Sequence, residues 1–221
     1  MRTRLGDAEV LLTLKTTAGE LHSRFLAYSG GDAPSGGASG IVATETTATG
    51  GETAAAWRFS AANANANAPH PVYKTESYAC SDKAYRENPA AVIASAGHGQ
   101  IKTSEQRLLA GPRYATALGV GTTLAVLATT PPLNGSAALR LAVADTQWAL
   151  GGWDRFLAEH QQSWHRFYTQ ASFLSISHPR LEQFYWITQY KLGSGMGLRG
   201  DLAGVGGVMD HTSPWCTSDL N

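Results

Sequence analysis

Hydrophobic and polar positions along the first two thirds of the chain repeat with a period of two. Val10, Leu12 and Leu14 take one side of an extended segment, with Leu11, Thr13 and Lys15 on the other, and Thr17-Ala-Gly-Glu20 supplies a turn. Leu21 to Tyr28 follows as a hairpin partner, with Leu21, Ser23, Phe25 and Ala27 opposed to His22, Arg24, Leu26 and Tyr28. Further strands are predicted at Ile41–Thr47, at Ala55–Phe59, where Trp57 and Phe59 share a face, and at Ala91–Ser95. Tyr114–Ala128 reads as two strands meeting near Gly119–Gly121, Pro131–Gly135 as a turn, and Leu139–Val143 as a last strand. Short strands punctuated by Gly, Pro and Asn, with no helix between them, predict an antiparallel β-sandwich over residues 1–147.

From Trp148-Ala-Leu-Gly-Gly152 onward the period becomes 3.6, which places a domain boundary there and a second domain over 148–221. Phe156, His160, Trp164, Phe167 and Ala171 mark one face of a helix from Asp154 to Ser172, and Ser175–His178 breaks it. Pro179 suits the first turn of a second helix, whose apolar side is Leu181, Phe184, Tyr185, Thr188 and Leu192 and which ends at Gly193. The pair predicts an antiparallel αα-hairpin. Its aromatics, Trp153, Trp164, Phe167, Tyr168, Phe184, Tyr185, Trp186 and Tyr190, ask for more helices than one hairpin provides. The fold class expected is therefore α+β and multidomain.

Charge narrows the partners. The formal net charge is zero and 15% of residues are charged, so nothing builds the basic field that a nucleic acid or an anionic membrane requires. No window reaches the roughly 20 apolar residues of a spanning helix, and Met1-Arg-Thr-Arg4 lacks the apolar core of a signal peptide. A neutral ligand fits better. Cys80 and Cys216 can pair in an oxidising compartment or stand as separate thiols. The Ala/Asn repeat of Ala61–Ala68 offers no periodic apolar face and reads as a loop.

Several short motifs carry little. Gly195-Met-Gly-Leu-Arg-Gly200 spells GxGxxG but follows a helix and enters a Gly-rich stretch, which is the wrong setting for a dinucleotide fingerprint. Asp210, His211, Cys216 and Asp219 are metal-binding types at a spacing that matches no closed site, so neither metal nor cofactor is expected. His22, Arg24, His70 and His98 are scattered and read as solvated or satisfied side chains. His160 lies on the apolar helix face, as a core or cleft histidine. The terminal Pro214-Trp-Cys-Thr-Ser-Asp-Leu-Asn221 is either a plain loop or a sugar site. In extended chain Asp219 and Asn221 point the same way, beside the apolar face of Trp215.

The run Ser163-Trp-His-Arg-Phe-Tyr-Thr-Gln-Ala-Ser172, then Leu181-Glu-Gln-Phe-Tyr-Trp186, Gln189-Tyr-Lys-Leu192, Asp201-Leu-Ala-Gly204, Pro214-Trp215 and the final Asp-Leu-Asn, resembles the start of the catalytic domain of family 95 glycoside hydrolases and their relatives. The resemblance covers about residues 150–221. More weakly, Gln106-Arg-Leu-Leu-Ala-Gly111 and Tyr114-Ala-Thr-Ala117 are similar to the β-sandwich that precedes that domain. It implies a sandwich followed by an (α/α)6 barrel, of which these residues supply the first αα-hairpin, and hydrolysis of a terminal α-L-fucoside or related galactoside of a glycan with inversion. The family's Asn-x-Asn pair falls on Asp219 and Asn221, the catalytic candidates, with an acid replacing the first amide. Trp215, Trp164 and His160 are the substrate-binding candidates. The resemblance further implies secretion or a periplasmic location and a barrel whose remainder, with the general-acid Glu, lies outside this chain; the start at Met1-Arg-Thr-Arg4, running directly into a strand, adds the expectation that the natural N-terminus is missing. The alternative is a non-catalytic β-sandwich that binds carbohydrate or supports a partner.

Overall fold

A computed structural model describes residues 1–53, 97–107, 113–131, 133–171 and 173–196. They contain seven strands: β1 (Arg2–Arg4), β2 (Glu9–Lys15), β3 (Gly19–Ala27), β4 (Gly40–Gly50), β5 (Ile101–Arg107), β6 (Arg113–Val120) and β7 (Leu124–Thr129). Three helices follow: α1 (Ala137–Gly151), α2 (Trp153–Ala171) and α3 (Pro179–Met196). The class is α+β. The described residues divide into two compact units, the first running to Ser163 and the second beginning at Trp164.

In the first unit all the strands form one antiparallel sheet, in the order β1-β2-β3-β4-β7-β6-β5. Among the described residues the strands form this one sheet, and helices cover one of its faces. The predicted strands at 55–59 and 91–95 lie outside the described residues. Register explains which face is covered. Glu9 pairs with Leu26, Leu26 with Ala43, Ala43 with Val126, Val126 with Gly119 and Gly119 with Ile101, a single row across the sheet. Residues two apart on a strand share a face, so Ile41, Ala128, Ala117 and Ala115 lie on the same side. All four are buried.

The main correction within an element is Leu139–Val143, which is helix. Leu139, Leu141 and Val143 do alternate, but the longer segment Ala137–Gly151 is rich in Ala and Leu, the strongest helix formers. Ala138, Ala142, Asp145, Thr146 and Ala149 recur at three- and four-residue spacing as its buried side. The small residues of this stripe meet the small residues of β6 and β7. Gly119 is required at the closest approach: a Cβ there would lie 2.6 Å from both Leu150 Cδ1 and Thr146 Cγ2.

The start of α2 completes the core. Phe156 is fully buried, stacked on Tyr28 (4.6 Å between centroids) and on Trp153 (5.2 Å), with Trp148 tilted against it at 5.6 Å. Leu26, Ile41, Val126, Ala149 and Leu157 surround these rings. Trp153 therefore belongs to the sheet's own core and needs no further helix.

In the second unit the rest of α2 packs against α3, as the predicted hairpin requires. Trp164 is buried against Tyr190 (5.5 Å), Tyr168 meets Trp186 (5.9 Å), and Gly193 lets α3 come close, since a Cβ would sit 2.9 Å from the Trp164 ring. The connection is capped as the sequence suggests. Pro179 opens α3, the backbone amides of Leu181 and Glu182 donate to the His178 carbonyl, and Glu182 accepts from the Ile176 amide at 3.1 Å. The apolar side expected for α3 is left partly uncovered: Leu181, Phe184 and Leu192 are exposed, as is Phe173 ahead of the helix.

Candidate functional site

Where β2, β3 and β4 run beyond the helices, the covered face turns from apolar to polar. The row after Glu9–Leu26–Ala43 is Leu11–Arg24–Glu45, and the next is Thr13–His22–Thr47. These two rows line a shallow hollow of about 250 Å³. His22 and Arg24, expected to be solvated and scattered, are neighbours on one strand face and converge there with Glu45.

The hollow's charged groups are held from below. Glu9 is fully buried, which costs several kcal/mol for an isolated carboxylate and is offset by three partners. Arg4 lies at 3.3 Å and Arg24 at 3.6 Å from its Oε2, and Gln161 Nε2 donates to its Oε1 at 3.0 Å. Arg24 also pairs with Glu45 Oε2 at 3.4 Å, while Trp153 Nε1 donates to Glu45 Oε1 at 3.1 Å. Each carboxylate oxygen of Glu45 thus has a fixed neighbour, one cationic and one an indole N–H. At the rim, Thr13 Oγ1 and His22 Nδ1 lie 3.3 Å apart, and His22 Nε2 is 3.3 Å from Glu20.

His160 sits beside this network and is fully buried. Its Nε2 lies 2.9 Å from the Asp7 carbonyl, which can only accept, so Nε2 carries the hydrogen and Nδ1 is the bare nitrogen. Nδ1 is buried without a hydrogen-bond partner. Burial pushes the ring's pKa below its ordinary value, against the opposing pull of the Asp7 carbonyl and the Glu9 charge. His160 therefore holds the β1–β2 turn onto α2 as a neutral ring. Trp164, the second helix candidate, is 3% exposed within the aromatic packing of the second unit. Trp215, Asp219 and Asn221 lie outside the described residues.

A second carboxylate, Glu159, organises the chain between β3 and β4. It accepts from the Tyr28 hydroxyl, the Gly31 amide and the Asp32 amide, the last at 2.7 Å. Burial, then the Glu159 carboxylate, drives the Tyr28 phenol well above its usual range. On α1, the buried Asp145 accepts from the Ser35 amide at 2.9 Å. Sequence reasoning singled out none of these acids. The available signal was weak: Glu9 and Glu159 each stand where the period assigns an inward or flanking position, and an acid there reads as solvated unless its partners are known.

Among the described residues no group of three metal-binding side chains converges, and no helix is long and apolar enough to cross a membrane. Comparison with known protein families, curated proteins and solved structures gives no match to this chain.

Proposed function

We propose that this chain forms the sheet domain and the first helical hairpin of an inverting exo-glycosidase of the family 95 type, acting on terminal α-L-fucosides or related galactosides. The observation that carries the reading is the hairpin itself. Directly after a helix-covered antiparallel sheet, α2 and α3 bury one aromatic face against each other and leave Leu181, Phe184 and Leu192 exposed on the other. In a closed ring of hairpins each hairpin has two apolar faces and covers the next, and this hairpin fits that part. The order of motifs from Ser163 to Asn221 agrees with that reading.

In such an enzyme a carboxylic acid protonates the glycosidic oxygen as the C–O bond breaks. In the same step a water attacks the anomeric carbon from the opposite face and loses its proton to a base. Asp219 and Asn221 are assigned to that water, Asn221 orienting it and Asp219 accepting its proton. The general acid comes from a later hairpin.

The test is to follow the reading frame past the codon for Asn221 in the source DNA and express it whole. The frame is expected to run on into aromatic-rich helical hairpins, and the product to release fucose or galactose from the aryl α-glycoside with inverted anomeric configuration. Asp219→Ala is expected to lower kcat by about 10²-fold or more. The 221-residue chain alone is expected to release none; release above buffer, or a frame without hairpins, overturns the assignment.

The second reading, a non-catalytic carbohydrate-binding module, is favoured by one observation, the polar hollow on the sheet. A frame without hairpins would leave it standing.

A further inference from the structure

We propose that the hollow on β2, β3 and β4 is a binding site for a single residue of a neutral sugar, separate from the segment assigned to catalysis. The carbohydrate reading above supplies the class of ligand; the site itself stands on side chains of the first unit alone.

The groups are a mixed donor and acceptor set. Thr13 and Thr47 each offer a hydroxyl, Arg24 its guanidinium and Glu45 its carboxylate, Leu11 supplies an apolar patch of floor, and the His22 ring, its nitrogens held by Thr13 and Glu20, forms part of the wall. They lie in two rows of paired strand residues. Neighbours are therefore about 4.8 Å apart across strands and about 6.8 Å apart along them, a grid with the footprint of one hexose. The volume, about 250 Å³, is below the roughly 300 Å³ at which pockets for larger ligands begin.

Charge selects against ions. Arg24 stands between Glu9 and Glu45, at 3.6 and 3.4 Å, so its positive charge is already matched. An anionic ligand would meet two carboxylates with no surplus cation, and a cationic one would compete with Arg24. A polyol needs neither.

The array is also set in advance. It rests on paired strands, Glu45 is held by Trp153 and Arg24, and Arg24 is held by buried Glu9, so little ordering is left to oppose binding. The Trp153 ring stacks on Phe156 and gives the ligand no platform. Recognition then rests on hydrogen bonds in an open hollow, and the affinity expected is about millimolar.

The test is saturation-transfer NMR on the full 221-residue chain with L-fucose, D-galactose and, as the anionic comparison, D-glucuronate. The two neutral sugars are expected to receive saturation and glucuronate little. Combining Thr13→Val, His22→Ala and Thr47→Val is expected to weaken the neutral sugars at least about tenfold. Thr47→Val alone, at an exposed position, gives the same direction should the triple variant lose its fold. No transfer, transfer unaltered by these substitutions, or preference for glucuronate overturns the proposal. A silent hollow in a chain whose extended frame cleaves fucoside sinks this inference and leaves the enzyme reading intact.

Discussion

At the scale of single residues, the first unit depends on acids whose partners come from distant parts of the chain. Glu159 is the clearest case, because three donors from the segment after β3 end on it. Glu159→Ala would strand the hydroxyl of the buried Tyr28 and free two amides, so chemical denaturation is expected to show a loss of about 1–3 kcal/mol. Tyr28→Phe, which removes one donor and leaves no orphan hydroxyl, is expected to cost less. His160 gives a dependence on pH with a definite sign. Its folded pKa lies below the ordinary value of 6.5, so between those two values the unfolded chain binds the extra proton. Stability from this group is complete above about pH 6.5, falls as the pH drops toward the folded pKa, and falls no further below it. Thermal midpoints over that interval are expected to drop more steeply for the native chain than for His160→Gln; parallel profiles would show that His160 does not titrate in this way. The same residue shows what a sequence can reveal about a site. Its burial followed from its place among Phe156, Trp164 and Phe167 at helical spacing, while its partner, the Asp7 carbonyl, did not, because main-chain acceptors leave no mark in a side-chain pattern.

At the scale of elements, the contact of α1 with the sheet is set by small residues, and its tolerance can be measured. Gly119 faces Thr146 and Leu150, and β-carbon contacts at 2.6 Å cannot be kept without moving the helix. Gly119→Val, which a strand backbone accepts readily, is nevertheless expected to destabilise by about 1–3 kcal/mol, read as a lower denaturation midpoint. Gly36, with no atom near its missing Cβ, marks the contrast: its backbone at φ +61° is what resists substitution. These positions also show why some elements were legible and others were not. β2, β3, β4, β6 and β7 follow from alternation in Val10–Leu14, Leu21–Tyr28, Ile41–Thr47 and Tyr114–Ala128, where residues two apart share a face of the sheet. β5 was missed because Ile101-Lys-Thr-Ser-Glu105 carries one apolar residue, and an edge strand needs no more. α1 was misread because Leu139, Leu141 and Val143 alternate by chance within an alanine-rich helix. The period of two is convincing only when neither neighbouring turn extends a period of 3.6. The polar hollow was illegible for a different reason. Thr13, His22, Arg24, Glu45 and Thr47 are each ordinary surface residues, and only the register of three strands makes them one array.

At the scale of the whole molecule, the two units differ in how completely they cover their apolar surface. In the first, the aromatic cluster of Tyr28, Trp148, Trp153 and Phe156 is enclosed between sheet and helices. In the second, Trp164, Tyr168, Trp186 and Tyr190 pack with one another while Phe173, Leu181, Phe184 and Leu192 remain exposed at 74%, 57%, 70% and 42%. Leu181, Phe184 and Leu192 are spaced so that they fall along one side of α3. Isolated exposed apolar residues are common on folded proteins, but a stripe of them along a helix marks a surface that another element covers. The 221-residue chain is therefore expected to bind an environment-sensitive apolar dye strongly at neutral pH, without denaturant, and to do so through α3. Phe184→Gln with Leu181→Gln, both at exposed positions, is expected to remove most of that fluorescence while leaving the helical circular dichroism unchanged. The same variant within the longer reading frame tests the reason for the stripe. If later hairpins pack on α3, the substitutions that leave the 221-residue chain as stable as before are expected to cost the longer protein several kcal/mol, since each buried Leu or Phe contributes about 1.5–3 kcal/mol. Weak dye binding by the native chain, or a longer protein indifferent to both substitutions, would mean that α3 is an ordinary outer helix and would remove the observation on which the glycosidase reading rests.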